Sequence, residues 1–246
     1  MGLVEREKIE GMDSTATSEP APKKRRAHGL SREVILDACL RLAVETAPDA
    51  LSFRKIGKEL GADPTALYRH FADKDDLLLS LSDRVLARGM EGYVPAESWK
   101  ASLRDLMLRA RAGFLQYPQV ATLAALRVTR QEGELQFVEA MLSALHRAGF
   151  AGEEAARIHR ACADFMLSWT GFSAGLVLLG EKSSQDDRAW VESYAGVSAS
   201  DYPLAVASVG AMAEIQDDEN YAFALDLLLA GIGARQSQML SASSTC

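Results

Sequence analysis

Side chains that can hydrogen-bond a phosphate or a base edge gather in one short stretch, GADPTALYRHFADKDDL, from Gly61 to Leu77. Hydroxyl, ring and cationic donors are the groups that proteins use on phosphates and base edges. This stretch and the segment before it supply such donors. The candidate contact residues, which include the small apolar Ala66, are Arg54, Thr65, Ala66, Tyr68, Arg69, His70 and Lys74. The chemistry that they favour is the binding of a nucleic acid.

The charge distribution favours the same chemistry at one end of the chain. The 246 residues carry a net charge of −7, which taken alone argues against a polyanionic partner. Residues 21–74, however, carry 11 basic and 7 acidic side chains, whereas residues 75–246 carry 14 basic and 22 acidic ones. Because the field near a surface follows the nearest charges, we expect a local polyanion-binding surface on an acidic body.

The first 29 residues are predicted to form a disordered arm, because they have little apolar periodicity. The arm ends in the basic cluster Lys23, Lys24, Arg25 and Arg26. Two interpretations stay open for this cluster: a solvated tail, or an arm that lies along DNA phosphates or in a minor groove.

The sequence lacks the signals that mark several other classes of protein. The three cysteines, Cys39, Cys162 and Cys246, form no CxxC pair, so we expect neither a disulfide framework nor a structural zinc. His146 and His159 are 13 positions apart, a weak metal signal, and no cofactor is predicted. No GxSxG, P-loop, HExxH or paired-carboxylate motif indicates an enzyme, so no catalytic residue is predicted. Without a charged-then-apolar leader or a long apolar run, we expect a cytoplasmic protein with no membrane contact.

Capping residues divide the first part of the chain into short helices. Ser31 and Ser52 can each begin a helix, and Gly61 can end the second one in a left-handed conformation. Asp63 precedes Pro64, and this pair predicts a third helix over 63–70, anchored by Leu67 and Phe71. Two short helices joined by a glycine turn after a longer helix indicate a helix-turn-helix domain, which we assign to residues 30–76.

The remainder of the chain also has helical periodicity. Asp73 is predicted to cap a helix from Lys74 to about Met90, and further helices are predicted near 98–116, 119–131, 134–148, 153–179, 201–214 and 219–235. The polar stretch from Glu181 is interpreted as a break. The predicted fold class is all-α, with an N-terminal three-helix domain and a larger helical domain over residues 77–240.

The run LSFRKIGKELGADPTALYRHFADKDDLL resembles the DNA-binding signature of the TetR family of transcriptional regulators. The matching positions are Ser52, Arg54, Ile56, Leu60-Gly61, Leu67-Tyr68, His70-Phe71, Lys74 and Leu77. Asp63-Pro64-Thr65 is most similar to the tetracycline-repressor branch, as is YAFALDLLLAGIGA, Tyr221–Ala234, near the end of the chain. The resemblance implies double-stranded operator DNA as a partner. Arg54 would approach base edges or phosphate, Thr65 and Ala66 would face bases, and Tyr68, His70 and Lys74 would clamp the backbone.

The resemblance also implies a homodimer and an unidentified small-molecule effector that releases the chain from its operator. Dimer contacts are expected from Phe223, Leu227, Leu228 and Ile232, and from a face of small residues: Ala155, Ala156, Ala161, Gly171, Ala174 and Gly175. The predicted ligand-binding residues are Met107, Phe114, Phe137, Met141, Phe165 and Trp169, with His146, His159 and Asp164 as polar candidates. Each of the apolar side chains in this set belongs more often to an ordinary core than to the wall of a ligand site.

The leading interpretation is therefore a ligand-responsive repressor. Two alternatives come from other classes: a helical DNA-binding protein without a ligand sensor, which the acidic body disfavours, and an α-helical enzyme.

Overall fold

The computed structural model describes residues 30–44 and 50–243, and every regular element in these ranges is a helix, which confirms the all-α class. The predicted basic arm with Lys23, Lys24, Arg25 and Arg26 lies outside the described residues. The elements are α1 (Arg32–Ala43), α2 (Phe53–Leu60), a 3₁₀ helix (Pro64–Arg69), α3 (Lys74–Met90), α4 (Trp99–Leu115), α5 (Pro118–Ala124), α6 (Glu132–Arg147), α7 (Gly152–Leu179), α8 (Glu181–Ala195), α9 (Pro203–Glu214) and α10 (Asp217–Ser243).

Short polar side chains begin the first four helices, as the sequence predicts. Each accepts a hydrogen bond from a backbone N–H of the first turn: Ser31 from Val34, Ser52 from Lys55, Asp63 from Thr65 and Asp73 from Asp76. The second helix ends at Gly61, whose φ of 62° is left-handed and favours glycine. The segment predicted as a helix over 63–70 is the 3₁₀ helix.

The head, which we define as α1, α2 and the 3₁₀ helix, packs around a small apolar core. Ile35, Ile56, Leu67 and Phe71 are all buried, so the two predicted anchors of the third helix are confirmed. Apolar periodicity places Val34 of α1 on the same face as the buried Ile35 and Ala38, and this expectation is wrong, because Val34 is exposed. The body of the chain, defined as α4–α10, follows after α3.

Helix α3 is shared between the head and the body, because it packs against α1 on one side and against α4, α5 and α6 on the other. Its Asp83 carboxylate accepts hydrogen bonds from the N–H groups of Gly133 (3.0 Å) and Glu134 (2.8 Å), so it caps the start of α6. A Cβ atom at Gly133 would overlap the main chain of Asp83. Glycine at this position therefore lets α3 and α6 approach closely.

Helix α5 is shorter than predicted. It ends at Ala124, whereas the sequence pattern predicts a helix over 119–131. The Thr129 hydroxyl donates to Glu134 (2.8 Å) and to Asp83 (3.0 Å), and Arg130 has a φ of 59°, which an α-helix does not contain. These tertiary hydrogen bonds hold the chain outside the helical conformation.

The interpretation of the stretch from Glu181 as a break was wrong, because this stretch forms α8. None of the residues of α8 is buried, so the apolar periodicity that marks a helix in a sequence is missing there. Helix α9 packs on α8, and Val209 is its one buried residue. Helix α10 continues to Ser243, beyond the predicted end near residue 235.

Helix α7 is the one described helix with the length and apolar composition of a membrane span, with a mean hydropathy of 1.4 over 18 residues. The uninterrupted apolar runs of the sequence are too short to span a membrane. In the structure α7 packs against α4, α5, α6 and α10. Core helices of soluble proteins have the same composition, so this property is weak evidence for a membrane.

Candidate DNA-binding surface and ligand pocket

The turn between α2 and the 3₁₀ helix is tight because two glycines allow it. Gly61 takes the left-handed conformation, and the N–H of Ala62 donates to the carbonyl of Gly57 at 2.9 Å. A Cβ atom at Gly57 would lie 2.9 Å from the carbonyl oxygen of Ala62 and 3.2 Å from the ring of Pro64. Gly57 was not singled out in the sequence, because the neighbour that it must accommodate lies across the turn.

The predicted DNA-binding residues that the structure describes come from α2, from the 3₁₀ helix and its C-cap His70, and from the first position of α3, and none of them is buried. Arg54, Thr65, Tyr68, Arg69 and Lys74 are exposed, and Ala66 and His70 are half-buried. Tyr68 is 60% exposed, and its ring makes an edge contact with Phe53 at a centroid distance of 4.8 Å. This contact restricts the ring while leaving its outer edge accessible. The roles of these seven residues in binding DNA are predictions from the sequence.

Asp63 controls the start of the 3₁₀ helix. One oxygen of its carboxylate, Oδ1, accepts hydrogen bonds from the N–H of Thr65 (2.8 Å) and from the Thr65 hydroxyl (2.6 Å). These two hydrogen bonds lower the pKa of Asp63 below its ordinary value, because they favour the charged carboxylate. The Thr65 side chain is thereby held in one orientation on the exposed side of the head.

Arg32 of α1 joins residues 64–71, which we call the recognition segment, to α3. Nothing in the sequence pattern singles out Arg32. Its guanidinium donates to the carbonyl of His70 (2.6 Å) and to Asp76 of α3 (3.0 Å), and lies 4.3 Å from the centre of the Phe71 ring. Asp76 also accepts from the N–H of Ala72 at 3.0 Å. The orientation of the recognition segment is therefore tied to the first turns of α3.

A cavity of about 310 Å³ lies among α3, α4, α5, α6 and α7. Phe114 and Phe137 line it, as predicted for a ligand site. The other predicted wall residues do not: Met107 and Met141 are buried in the core, and Phe165 and Trp169 contact Tyr221 at centroid distances of 5.4 and 5.8 Å. Helix α7 is rotated so that Met166 and Leu167 face the cavity instead. Sequence periodicity does not define this rotation.

The polar lining of this pocket comes from α6 and α7. His159 and Asp164 line it, whereas His146 is exposed on α6. Burial lowers the pKa of His159 and so favours the uncharged imidazole, which can act as both donor and acceptor. Asp164 is paired with Arg160 at 2.7 Å. Among the described residues, no group of three histidine, cysteine or acidic side chains is placed to hold a metal ion.

One side chain connects the pocket to α3. Arg127, in the segment after α5, lines the cavity and forms an ion pair with Asp75 through two nitrogens, at 2.8 and 3.1 Å. Asp75 lies in the first turn of α3, directly after the predicted phosphate contact Lys74. Arg127 was not identified in the sequence, because its partner is 52 positions away.

The predicted dimer residues divide into exposed and buried sets. On α10, Phe223 and Leu227 are exposed, Leu228 is half-buried and Ile232 is buried. On α7, Gly171 does not lie on a free face, because a Cβ atom there would lie 2.5 Å from the Cβ of Ala125, which directly follows α5. Ala155 and Ala174 are also buried within the chain. The small residues of α7 thus partly serve close packing inside the protomer.

Two family models match the chain and together account for both parts of it. Residues 35–81 match the model described as bacterial regulatory proteins, tetR family. Residues 92–236 match the model described as tetracyclin repressor-like, C-terminal domain. The second match agrees with the predicted tetracycline-repressor branch.

Two related proteins that regulate transcription are similar in sequence to this chain. An HTH-type transcriptional repressor of Mycobacterium tuberculosis is 29% identical over 195 residues, which is 76% of this chain and 70% of the relative. The class D tetracycline repressor of Escherichia coli is 35% identical over 124 residues, 50% of this chain and 56% of the relative.

Two crystal structures have the same fold. ActR from Streptomyces coelicolor in complex with actinorhodin has a TM-score of 0.73 at 22% identity, over 84% of this chain and 98% of ActR. A TetR from Acinetobacter baumannii in complex with minocycline has a TM-score of 0.61 at 23% identity, over 85% of this chain and 95% of that protein. At these identities the likeness concerns the fold. Because the two family models together match residues 35–81 and 92–236, which is most of the chain, the chain belongs to the TetR family of bacterial transcriptional regulators.

Proposed function

We propose that the chain is a repressor that binds double-stranded operator DNA through its head and is released when a small hydrophobic molecule enters the pocket. The observation that carries this proposal is the position of α3. The first turns of α3 contact the recognition segment through Arg32, and its middle lines the pocket through Ser82 and Leu86. A ligand that prefers one position of α3 therefore changes the position of the head.

On the DNA, the outer side of the head supplies two kinds of contact. Thr65 and Ala66 would face base edges, with Arg54 beside them on α2. Tyr68, Arg69, His70 and Lys74 would hold the phosphate backbone. Lys74 is the first residue of α3 and brings its positive charge to the helix end where the dipole favours an anion, although Asp75 and Asp76 in the same turn are acidic. The basic cluster Lys23–Arg26 would add sequence-independent phosphate contacts.

The pocket favours a mainly apolar ligand. Phe114, Phe137, Met166 and Leu167 form apolar walls, and His159 offers one neutral polar anchor. A few polar groups in an apolar cavity are usual for a small-molecule site. Proteins of the same fold hold organic molecules, since ActR is in complex with actinorhodin and the Acinetobacter TetR with minocycline. We assign this chain no catalytic activity, and we place it in the cytoplasm, where its operator lies.

A thermal-shift screen of hydrophobic drugs and metabolites tests this function. A compound that binds the native pocket stabilises the fold by about 2.7 kcal/mol at a hundredfold excess over its Kd. We expect the same compound to weaken binding to a duplex selected by the protein from a random library by roughly 5- to 150-fold, measured by electrophoretic mobility.

The matched variant for this experiment is Asp75→Asn, which leaves the pocket lining unchanged and removes the charge that pairs with Arg127. The compound should stabilise this variant as well as the parent but release it from DNA less completely. A stabiliser that leaves the DNA affinity of the parent unchanged would contradict the proposed coupling. A protein that enriches no duplex from the library would contradict the DNA-binding function.

We also propose that the chain is a homodimer joined through α10 and the neighbouring part of α7. Phe223 and Leu227 are four positions apart on α10, so their exposed side chains, 64% and 59% accessible, form one apolar face. Phe172 of α7 is exposed as well. A two-fold dimer buries such a face against its own copy and places two heads on half-sites about 34 Å apart.

The variant Leu227→Glu should convert the dimer to a monomer, because a charge without a partner is costly in an apolar interface. Sedimentation velocity at one protein concentration measures the change. The control is Val94→Glu, which places the same charge on an exposed valine in the segment before α4. If Leu227→Glu sediments as the parent does, the interface lies elsewhere.

A further inference from the structure

The hydrogen-bond donors in the first turn of the 3₁₀ helix already bind acceptors within the head. Pro64 has no N–H, and both the N–H and the hydroxyl of Thr65 donate to Asp63 Oδ1, at 2.8 and 2.6 Å. The N–H of Ala66 donates to the carbonyl of Asp63 at 2.9 Å. Thr65 is exposed and its hydroxyl hydrogen is bound to Asp63, so what its side chain can offer a ligand is a methyl group and oxygen lone pairs, and the half-buried Ala66 follows it in the chain.

The position of Thr65 is suited to base reading. A 3₁₀ helix has three residues per turn, so Thr65 lies on the same side as Tyr68, which is largely exposed, while Leu67 is buried in the head. Tyr68 and Thr65 thus form one outward row, with the tyrosine packed against Phe53. A duplex whose backbone is held by Tyr68 would have Thr65 on the side of the head that faces it.

The chemistry of this row discriminates among bases. In the major groove, guanine presents only acceptors, N7 and O6, and needs a donor from the protein. Thymine presents a C5-methyl group, which packs against small apolar side chains, and its partner adenine presents an N6 donor. Methyl groups and lone pairs complement the thymine–adenine pair and leave the acceptors of guanine without partners.

We infer that Thr65, held by Asp63, is a specificity-determining residue that reads a thymine in each half-site through the C5-methyl group and disfavours guanine there. This inference rests on the proposed DNA-binding function. It goes beyond that function by naming the base and the atom that are read. It also gives Asp63 a role as the positioning residue that keeps the Thr65 hydroxyl from serving as a donor to guanine.

The experiment uses the full chain and a duplex that the protein selects from a random library. Each thymine of one half-site is replaced in turn by deoxyuridine, which removes only the C5-methyl group. For the parent, we expect one replacement to weaken binding by about fourfold, which corresponds to about 0.8 kcal/mol for one methyl-sized group. Affinities are measured at one salt concentration, because phosphate contacts depend strongly on salt.

Two variants separate the methyl group from the hydroxyl group. Thr65→Ser keeps the hydroxyl that pairs with Asp63 and removes the methyl group, so its affinity should not change at the sensitive thymine. Thr65→Val keeps methyl groups and removes the hydroxyl, so it should lose about fourfold, as the parent does. Thr65 is exposed, so Thr65→Ser should unfold at the temperature of the parent, whereas Thr65→Val loses the hydroxyl bond to Asp63 and should unfold slightly below it.

Each outcome decides the inference. A parent that tolerates deoxyuridine at every thymine of the half-site overturns it, and so does a Thr65→Ser variant that stays sensitive at the same thymine. In both cases the DNA-binding function stands, since the selected duplex is bound. A selection that enriches no duplex overturns the proposed function and this inference together.

Discussion

Replacing Gly133 with alanine should destabilise the fold by about 3 kcal/mol, at the upper end of the cost of overpacking a core. Gly133 is buried at the second position of α6, and an added Cβ atom would overlap the Asp83 carbonyl oxygen and lie 3.1 Å from the backbone nitrogen of Ala87. Both neighbours are main-chain atoms of α3, so neither can move aside as a flexible side chain can. The two helices must separate, and the Asp83 cap of α6 weakens as they do.

Urea unfolding at a fixed protein concentration measures this change, because the stability of a dimer depends on concentration. The control is Gly210→Ala in α9, where an added Cβ atom would meet no atom within 4 Å. That substitution should be neutral or stabilise the protein by up to about 1 kcal/mol, since alanine favours the helix more than glycine does. Equal stability of Gly133→Ala and the parent would show that α3 and α6 are not held this closely.

Replacing Arg111 with alanine should also cost about 3 kcal/mol, the lower end of the range for breaking a buried ion pair. Arg111 is 5% exposed on α4 and donates to Asp217 at 2.6 Å and to Asp218, both in the first turn of α10. Its guanidinium also lies 4.6 Å from the centre of the Tyr221 ring. The variant leaves Asp217 without its cationic partner and opens a space beside Tyr221. The lower end applies because both aspartates retain access to water.

The chain offers a matched control in Arg104→Ala. Arg104 is also on α4 and also pairs with an aspartate of α10, Asp226, at 2.7 Å, but both partners are well exposed. Exposed ion pairs contribute about 0–1 kcal/mol, so this variant should unfold close to the parent. Thermal or urea unfolding of the two variants side by side gives the comparison. Similar stabilities for both would mean that burial of Arg111 does not make its ion pair important.

The sequence by itself determined the start and end of the early helices. Ser31, Ser52, Asp63 and Asp73 cap their helices through bonds to N–H groups two or three residues away, and Gly61 needs only its own conformational freedom. Such interactions depend on neighbours along the chain, so they can be predicted without a fold. For the same reason the helix-turn-helix pattern was predicted correctly in outline.

Only the tertiary structure decided how the helices face one another. The early end of α5 depends on Asp83 and Glu134 holding Thr129, and the first of these partners is 46 positions away. The lining of the pocket depends on the rotation of α7, which turns Phe165 and Trp169 towards Tyr221. Helix α8 has no buried residue, so no apolar pattern marks it. Periodicity shows that a helix has an apolar face, but the partner of that face is chosen by packing between distant segments, which the local sequence does not encode.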